Sequence, residues 1–481
     1  MSRVPVFSVR WGPIGLPAVL LGIAALAAVT QPEAWVWDIP DTRRGMAAAL
    51  VVLLYLGACT AGAWRRRSRN AVVVPAAGIR ILHASQTGTA ERIALRSADQ
   101  LRQAGVSTAC AALGALDASA LETGGTCLFV ISTTGEGEPP DNAFAFERGA
   151  MRTRPDLSRL HYGLLALGDR GYARYCGFGV ELDVWLRDCG ARPVFDRIEV
   201  DRGDPRALRQ WQQALSALGG VPAAADRVSP RYDRWRLQAR EHLNPGSVGG
   251  AVFRLVLEPE AEAPGWTPGD LVEIRVPVSG ETVQRTYSIA STADDGRIEL
   301  MVRQVRHPNG RTGTGSGWLT EQAPLGADIA LRVRENHGFH PPPADVPMIL
   351  IGNGTGLAGL RAHLRERAQL AAAPCWLLFG ERSRRHDFLC RNEIEAWCAG
   401  GVLARVDLAF SRDGEPVRYV QDALRAAADT LREWIAGGAC LYVCGSLHGM
   451  APGVDAVLRE VLGADAVDAL RTQGRYRRDV Y

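Results

Sequence analysis

Small and hydroxyl-bearing side chains cluster in one short segment that separates an apolar run from a helical pattern. The run covers 79–82, and the segment after it reads Ser85, Gln86, Thr87, Gly88, Thr89 and Ala90. At a strand-to-helix turn, such residues let backbone N–H groups and hydroxyls close around a phosphate at the positive end of the helix. All 55 basic residues are arginine. The missing lysine excludes P-loop NTPases and Schiff-base enzymes, so the segment suits a phosphate that is bound but not transferred.

Two further loops follow the next apolar runs, 127–132 and 164–168, in the same order along the chain. The first offers backbone donors and a tight turn, and it reads Thr133, Thr134, Gly135, Glu136 and Gly137. The second places an aromatic ring beside a glycine turn, and it contains Leu167, Gly168, Asp169 and Tyr172. Loops after successive strands of a doubly wound parallel sheet meet at one edge. The three loops therefore favour one binding site over three independent structural turns.

These loops resemble the flavodoxin-like FMN domain of the diflavin reductases, a family that includes the sulfite reductase flavoproteins and the NADPH-haemoprotein reductases. The resemblance implies that the residues from Ser85 to Ala90 hold the FMN phosphate. It also implies that Thr133 to Gly137 and Leu167 to Asp169 border the isoalloxazine ring, with Tyr172 stacked on it. The fold expected for 79–218 is a flavodoxin-like doubly wound parallel sheet.

A second region combines a cation, an aromatic ring and a hydroxyl on one predicted strand, which carries Arg285, Tyr287 and Ser288. Side chains alternate along a strand, so Arg285 and Tyr287 share a face, where one can pair with a diphosphate and the other can lie against a flavin. A helix that offers another anion-binding N-terminus begins with Gly315, Ser316 and Gly317. Short strands between turns indicate an antiparallel β-barrel over 236–343, which would bind FAD.

A further glycine loop follows the apolar run 348–351 and contains Gly354, Thr355 and Gly356. It departs from the G-x-G-x-x-G fingerprint, because Leu357 stands at the last glycine position. Later segments add Ser411, Arg412, Tyr419 and Gln421. In this order the segments resemble the ferredoxin-NADP reductase module, which implies a Rossmann-like NADP-binding α/β domain over 344–481. Charge and hydrogen bonding suit Ser411 and Arg412 to a 2′-phosphate, which favours NADPH over NADH.

The chain ends in an aromatic residue, Tyr481, two residues after Asp479. This ending is similar to that of the sulfite reductase flavoproteins. The resemblance implies that Tyr481 lies over the FAD ring and moves aside for the nicotinamide. It also implies that Ser288, Cys444 and Asp479 are catalytic residues beside the hydride path.

Two apolar, uncharged stretches, 14–30 and 45–63, precede all of these regions. Each is about the length needed to cross a hydrocarbon core, and arginines flank both outer ends. The positive-inside rule then predicts a hairpin with both ends in the cytoplasm. We therefore expect a membrane anchor over 1–70 with two transmembrane helices. The expected localisation is the inner or plasma membrane, with a multi-pass topology and the catalytic domains in the cytoplasm.

The alternating strand and helix patterns predict an α/β multidomain protein, and the charge balance gives no sign of a nucleic-acid binder. Basic and acidic residues nearly cancel to a net charge of +3, which gives no argument for a nucleic-acid partner. The ten cysteines are scattered without metal-ligand spacing, so no metal site is expected. A linker over 219–235 is expected to join the FMN domain to the barrel. Only a short segment separates Asp270 from Arg285, where diflavin reductases usually carry a large helical connecting domain.

The three cofactors together define an expected reaction. Nicotinamide gives up two electrons as hydride, whereas haem and ferric iron take one at a time, and a pair of flavins bridges these demands. We expect an NADPH-dependent diflavin oxidoreductase that passes electrons from NADPH to FAD, then to FMN, and then to a one-electron acceptor such as a haemoprotein. Two alternatives stay open. One is a ferric-chelate reductase in iron acquisition, and the other is an electron-transfer subunit of a membrane complex.

Overall fold

The computed structural model describes residues 78–481, except 117, 136, 173, 221–230, 279–280 and 371. The two predicted transmembrane stretches, 14–30 and 45–63, lie outside these residues. No helix in the described part of the chain is long and apolar enough to cross a membrane. The expected localisation, a multi-pass protein of the inner or plasma membrane, is therefore wrong.

The first domain is a parallel sheet with helices on both faces. Its strands are β1 (Ile79–Ala84), β2 (Thr108–Ala112), β3 (Gly125–Ser132), β4 (Leu160–Gly168), β5 (Arg192–Pro193) and β6 (Ile198–Asp201). They are hydrogen-bonded in the order β2-β1-β3-β4-β5, and β6 also pairs with β4. The helices are α1 (Thr89–Gln103), α2 (Ala118–Glu122), α3 (Phe144–Arg148), α4 (Gly177–Asp188) and α5 (Pro205–Gly219). The predicted flavodoxin-like sheet is confirmed.

Apolar strands that are buried on both faces explain this sheet. Phe129 and Ile131 of β3 pack into the core on one face, and Leu128 and Val130 pack into the core on the other. A continuous apolar run is typical of a parallel strand that helices cover on both sides. Strand β2 was not predicted, because its residues are half-buried and mostly alanine, a weak strand former.

The second domain is an antiparallel sheet. Its strands are β7 (Asp233–His242), β8 (Val252–Pro259), β9 (Leu271–Val278), β10 (Glu281–Ser288), β11 (Ile298–Arg303) and β12 (Asp328–Arg334). They are paired in the order β10-β9-β12-β7-β8-β11, and the edge strands β10 and β11 contact each other. Helix α6 (Thr314–Gly317) is one short turn that continues as a π-helical segment over 318–322. The predicted antiparallel architecture is confirmed.

Two described elements extend into the segment 219–235, which was predicted as a linker. Helix α5 continues to Gly219, and strand β7 already begins at Asp233. Trp235 and Leu237 alternate with exposed arginines and are fully buried in the barrel core. This polar segment therefore forms a strand because only its alternate side chains need to be apolar.

The third domain is a parallel Rossmann-like sheet, as predicted. Its strands are β13 (Met348–Asn353), β14 (Cys375–Glu381), β15 (Leu403–Phe410), β16 (Cys440–Gly445) and β17 (Tyr476–Val480), in the order β15-β14-β13-β16-β17. Its helices are α7 (Leu357–Gln369), α8 (Arg384–Asp387), α9 (Arg391–Ala399), α10 (Val420–Ala426), α11 (Ala428–Ala436), α12 (Met450–Leu462) and α13 (Ala464–Thr472).

Strand β17 was not predicted, and it positions two parts of the site. It pairs in parallel with β16, which sets Asp479 beside Cys444. Side chains on a strand point alternately to its two sides. Arg478 accordingly bonds to the first domain, whereas Asp479 bonds to Ser288 of the barrel.

Candidate functional site

The predicted phosphate loop lies between the carboxyl end of β1 and helix α1. Ser85 N–H donates to Asn142 Oδ1 at 2.9 Å, and Ala90 N–H donates to Ser85 Oγ at 3.2 Å. Gly88 precedes the helix with a φ of 70°, a left-handed conformation that favours glycine. These contacts curl the loop over the N-terminus of α1, where backbone N–H groups and the helix dipole favour an anion.

The other two predicted loops meet the phosphate loop at the same edge of the sheet. Thr133 N–H donates to Leu167 O at 3.0 Å, and this bond joins the second predicted loop to the third. The Thr133 hydroxyl is buried without a hydrogen-bond partner in the described part of the chain. Buried hydroxyls are rarely unpaired, so a bound group such as the flavin of FMN fits beside it. Glu136 lies outside the described residues, and Thr134, Gly135, Gly137, Gly168 and Asp169 complete the two loops.

Tyr172, which was expected to stack on the FMN ring, lies at the boundary with the third domain. Its ring centroid is 6.0 Å from that of His448, with the two planes tilted by 35°. Gln86 Nε2 donates to Arg478 O at 2.9 Å, and Arg478 Nη2 pairs with Asp141 Oδ1 at 2.6 Å. The edge that carries the three loops therefore faces the rest of the molecule.

The residues predicted to bind FAD are brought together on β10 and α6. A Cβ atom added at Gly315 would lie 2.6 Å from Arg285 Cγ and 2.9 Å from Tyr287 Oη, so a larger residue there would displace these side chains. Ser316 Oγ accepts from Val305 N–H at 3.0 Å and anchors the helical turn. Gly317 packs equally closely against Thr312. Arg285, Tyr287 and the backbone of 315–317, together called the FAD cradle, fit a diphosphate beside a flavin.

A buried hydrogen-bonded cluster joins the barrel to the third domain. Ser288 Oγ donates to Asp479 Oδ2 at 2.7 Å, and Cys444 Sγ lies 3.7 Å from the same oxygen. Burial raises the pKa of Asp479, while the bonds from Ser288 and Cys444 oppose that rise. Burial, followed by the charge of Asp479, raises the pKa of Cys444 well above its ordinary value. The cluster therefore holds a thiol and a hydroxyl, both oriented by one carboxyl group.

A cavity of about 660 Å³ opens between the carboxyl ends of β13, β14 and β16. Five residues predicted to bind the nicotinamide nucleotide line it: Gly354, Thr355, Ser411, Tyr419 and Gln421. Tyr481, which was predicted to lie over the FAD ring, lines it as well. Gly356 does not line it, because it is buried against the backbone of Cys444. Arg412 is exposed and is not part of the lining either. The turn after β15 instead uses the Arg412 backbone, whose N–H donates to Arg382 O at 2.8 Å.

Three arginines that sequence reasoning had not assigned also line this cavity: Arg303, Arg382 and Arg418. Arg418 Nη2 donates to Ser411 O at 3.3 Å, and its guanidinium lies 5.9 Å from the ring centroid of Tyr419. In the sequence, Arg418 could have been found from its position directly before Tyr419. Because the polyphosphate of a dinucleotide is anionic, these cations suit the cavity to such a ligand.

Tyr481 closes the chain at the edge of this cavity. Its N–H donates to Gly445 O at 3.0 Å, and Leu447 N–H donates to Tyr481 O at 3.1 Å. These bonds fix the backbone, while 56% of the residue's surface is exposed. The backbone of Tyr481 is therefore fixed at the edge of the cavity.

Three family models match the chain in the order of its domains. Flavodoxin matches 81–212, the oxidoreductase FAD-binding domain matches 237–335, and the oxidoreductase NAD-binding domain matches 350–456. With the three sheets and the site geometry, these matches define the class. The chain combines the domains of a diflavin reductase, an NADPH-dependent oxidoreductase with binding domains for FMN, FAD and NADPH.

Several curated relatives share one description, sulfite reductase (NADPH) flavoprotein alpha-component. The protein from Neisseria meningitidis serogroup B is 28% identical over 539 positions, which cover 84% of this chain and 89% of the relative. The Bacillus subtilis protein is 27% identical over 538 positions, with the same two coverages. The Vibrio cholerae serotype O1 protein is 26% identical over 562 positions, which cover 87% of this chain and 92% of the relative.

These relatives contain segments that this chain lacks. The Neisseria alignment runs over 539 positions, which is more than the 481 residues of this chain. In the barrel, β9 and β10 pair as a hairpin, with Val278 opposite Glu281. A large helical connecting domain is therefore missing between these two strands.

Proposed function

We propose that this chain takes electrons from NADPH onto FAD, moves them to FMN, and delivers them singly to a haemoprotein. Nicotinamide delivers a two-electron hydride, and the two flavins divide it into single-electron steps. The relatives are named as components of NADPH sulfite reductase. The acceptor proposed here is accordingly a separate haemoprotein component of that kind.

One observation carries this proposal: consecutive residues of β17 reach two cofactor sites. Asp479 bonds to Ser288 beside the FAD cradle, and Arg478 pairs with Asp141 beside the phosphate loop of the first domain. Successive residues of a strand are only about 3.3 Å apart, so the proposed FAD and FMN sites lie next to each other. Electron transfer from FAD to FMN within one chain is the function that such an arrangement serves.

The residues near the hydride path have proposed roles in orientation. Ser288, Cys444 and Asp479 would hold the nicotinamide against the flavin. Asp479 accepts hydrogen bonds from the Ser288 hydroxyl and the Cys444 thiol, so each proton stays on its own donor atom. Tyr481 would cover the flavin face until the nucleotide displaces its ring. Ser411 and Arg418 would contact the 2′-phosphate of NADPH.

Purified protein tests the proposal directly. We expect flavin extraction to yield both FMN and FAD, and NADPH to bleach the flavin absorbance much faster than NADH does. A sulfite reductase haemoprotein or cytochrome c should then be reduced. A single type of flavin, or a yellow colour that persists with NADPH, would contradict the proposal.

A further inference from the structure

Arginines from two domains converge beside the phosphate loop of the first domain. Arg332 and Arg334 of β12 share one carboxylate: Arg332 Nη2 lies 2.7 Å from Glu273 Oε1, and Arg334 Nη1 lies 3.4 Å from Glu273 Oε2. Arg92 of α1 approaches them. Burial, followed by the charges of Arg334 and Arg332, lowers the pKa of Arg92 to about 10. This cluster carries more positive than negative charge, in a place from which water is largely excluded.

Arg334 crosses from the barrel into the phosphate loop. Its Nη2 donates to Thr87 O at 2.8 Å and to Thr89 Oγ1 at 2.5 Å. The residue is 8% exposed, and its Nε atom has no hydrogen-bond partner in the described part of the chain. Thr89 is the first residue of α1. A buried guanidinium thus lies against the positive end of a helix, an arrangement that calls for an anion.

The barrel backbone also covers the loop. A Cβ atom added at Gly88 would lie 2.7 Å from Glu335 O, and one added at Gly338 would lie 3.3 Å from Gln86 O. The Glu335 carboxylate itself is exposed and lies 3.4 Å from His337 Nε2, so it does not neutralise Arg334. The barrel segment 334–338 therefore packs directly against the phosphate loop.

We propose that Arg334 of the FAD barrel completes the FMN phosphate site. The FMN site is then shared by two domains, and FMN is held most tightly while the first domain is docked on the barrel. This inference rests on the proposed function, because it needs FMN in the first domain. It makes Arg334 a cofactor-positioning residue as well as a docking contact.

Riboflavin separates these two roles, because it carries the same ring system as FMN without the phosphate. The full chain is depleted of FMN and titrated with each flavin, and the quenching of flavin fluorescence gives Kd. We expect Arg334→Gln to raise the Kd of FMN about 10- to 100-fold, the range for a charge-assisted hydrogen bond. The Kd of riboflavin should change less than about twofold. Arg334→Lys should recover part of the lost FMN affinity, since lysine keeps the positive charge but lacks the paired N–H donors of a guanidinium.

Arg332→Gln is the matched control, because Arg332 pairs with the same Glu273 from the same strand without a hydrogen bond to the loop. It should raise the Kd of FMN much less than Arg334→Gln does and leave that of riboflavin unchanged. The double variant Glu273→Gln/Arg334→Gln removes one negative and one positive charge, so the net charge of the cluster is unchanged, and it should still weaken FMN binding. FAD content and NADPH-dependent ferricyanide reduction report folding in each variant.

Three outcomes overturn the inference. FMN and riboflavin could weaken equally, which would make Arg334 a docking contact alone. Arg334→Gln could leave the Kd of FMN unchanged, or Arg332→Gln could weaken FMN as strongly. Failure of the proposed function is distinguishable, because the unaltered protein would then bind no FMN at all.

Discussion

At the scale of single residues, Arg412 and Arg418 are the two candidates for the contact with the 2′-phosphate of NADPH. Arg418 lines the cavity beside Ser411, whereas Arg412 is exposed outside the lining. We expect Arg418→Ala to raise the KM for NADPH about tenfold or more, since a charge-assisted hydrogen bond contributes about 1.5–3 kcal/mol. The KM for NADH should stay nearly constant. Steady-state ferricyanide reduction measures both, with Arg412→Ala as control; a larger effect from Arg412→Ala would reverse the assignment.

The carboxyl group of Asp479 is the acceptor that orients Ser288 and Cys444. We expect Asp479→Asn to slow flavin bleaching by NADPH about tenfold or more, because a neutral amide accepts these bonds less strongly. Stopped-flow absorbance measures the rate, and flavin extraction confirms that the cofactors are retained. An unchanged bleaching rate would remove Asp479 from the hydride site.

His363 on α7 provides a prediction about pH. Both of its ring nitrogens lack a hydrogen-bond partner in the described part of the chain, and burial lowers its pKa to about 3 from 6.5. The folded protein therefore keeps His363 neutral, whereas the unfolded chain takes up a proton below about pH 6.5. Stability from this residue is complete above that pH and is lost as the pH falls towards 3.

We expect His363→Leu to reduce the drop in melting temperature between about pH 7 and about pH 4, since it removes this proton uptake. The exposed His161 supplies the control, because His161→Gln should leave the drop unchanged. Equal pH sensitivity of His363→Leu and the unaltered protein would contradict the expectation.

At the scale of elements, β17 links the proposed hydride site to the first domain. Arg478 is 13% exposed and Asp141 is 18% exposed at their side chains, so the pair is only slightly solvated. Burial opposes the charge on Arg478, but Asp141, Tyr476 and Glu138 together outweigh burial and raise the Arg478 pKa. Partly buried pairs of this kind are screened by salt less than surface pairs are.

We expect Arg478→Gln and Asp141→Asn each to slow electron transfer from FAD to FMN, because either change weakens docking. The double variant should be no slower than the slower single variant, as expected for two partners in one interaction. Stopped-flow spectra of the two flavins measure the rate, while ferricyanide reduction at the FAD level should persist. Additive losses in the double variant would show that the two residues act separately.

The elements that sequence reasoning predicted differ physically from those that it missed. Strands β3 and β13 are continuous apolar runs, so their burial could be read from composition. Strands β7 and β17 are rich in arginine and acquire their structure from neighbours, through Trp235 in the barrel core and through pairing with β16. The Arg334 contact was equally hidden, because it joins residues that are 247 and 245 positions apart.

At the scale of the whole molecule, buried arginines join the barrel to the third domain. Arg361 Nη1 donates to Ala290 O at 2.7 Å and to Glu299 Oε2 at 2.9 Å, and its Nη2 donates to Glu393 Oε1 at 2.7 Å. A guanidinium with this many partners fixes the orientation of both domains. The FAD cradle and the nucleotide cavity therefore lie in two domains that share buried ion pairs. The first domain contacts both of them.

The central claim is that FMN is the exit for electrons that enter through FAD. The most direct test removes FMN from the full chain and follows reduction of the haemoprotein by NADPH in a stopped-flow experiment. We expect the depleted protein to keep its FAD bleaching but to lose haemoprotein reduction, and added FMN to restore it. Haemoprotein reduction at an unchanged rate without FMN would contradict the account.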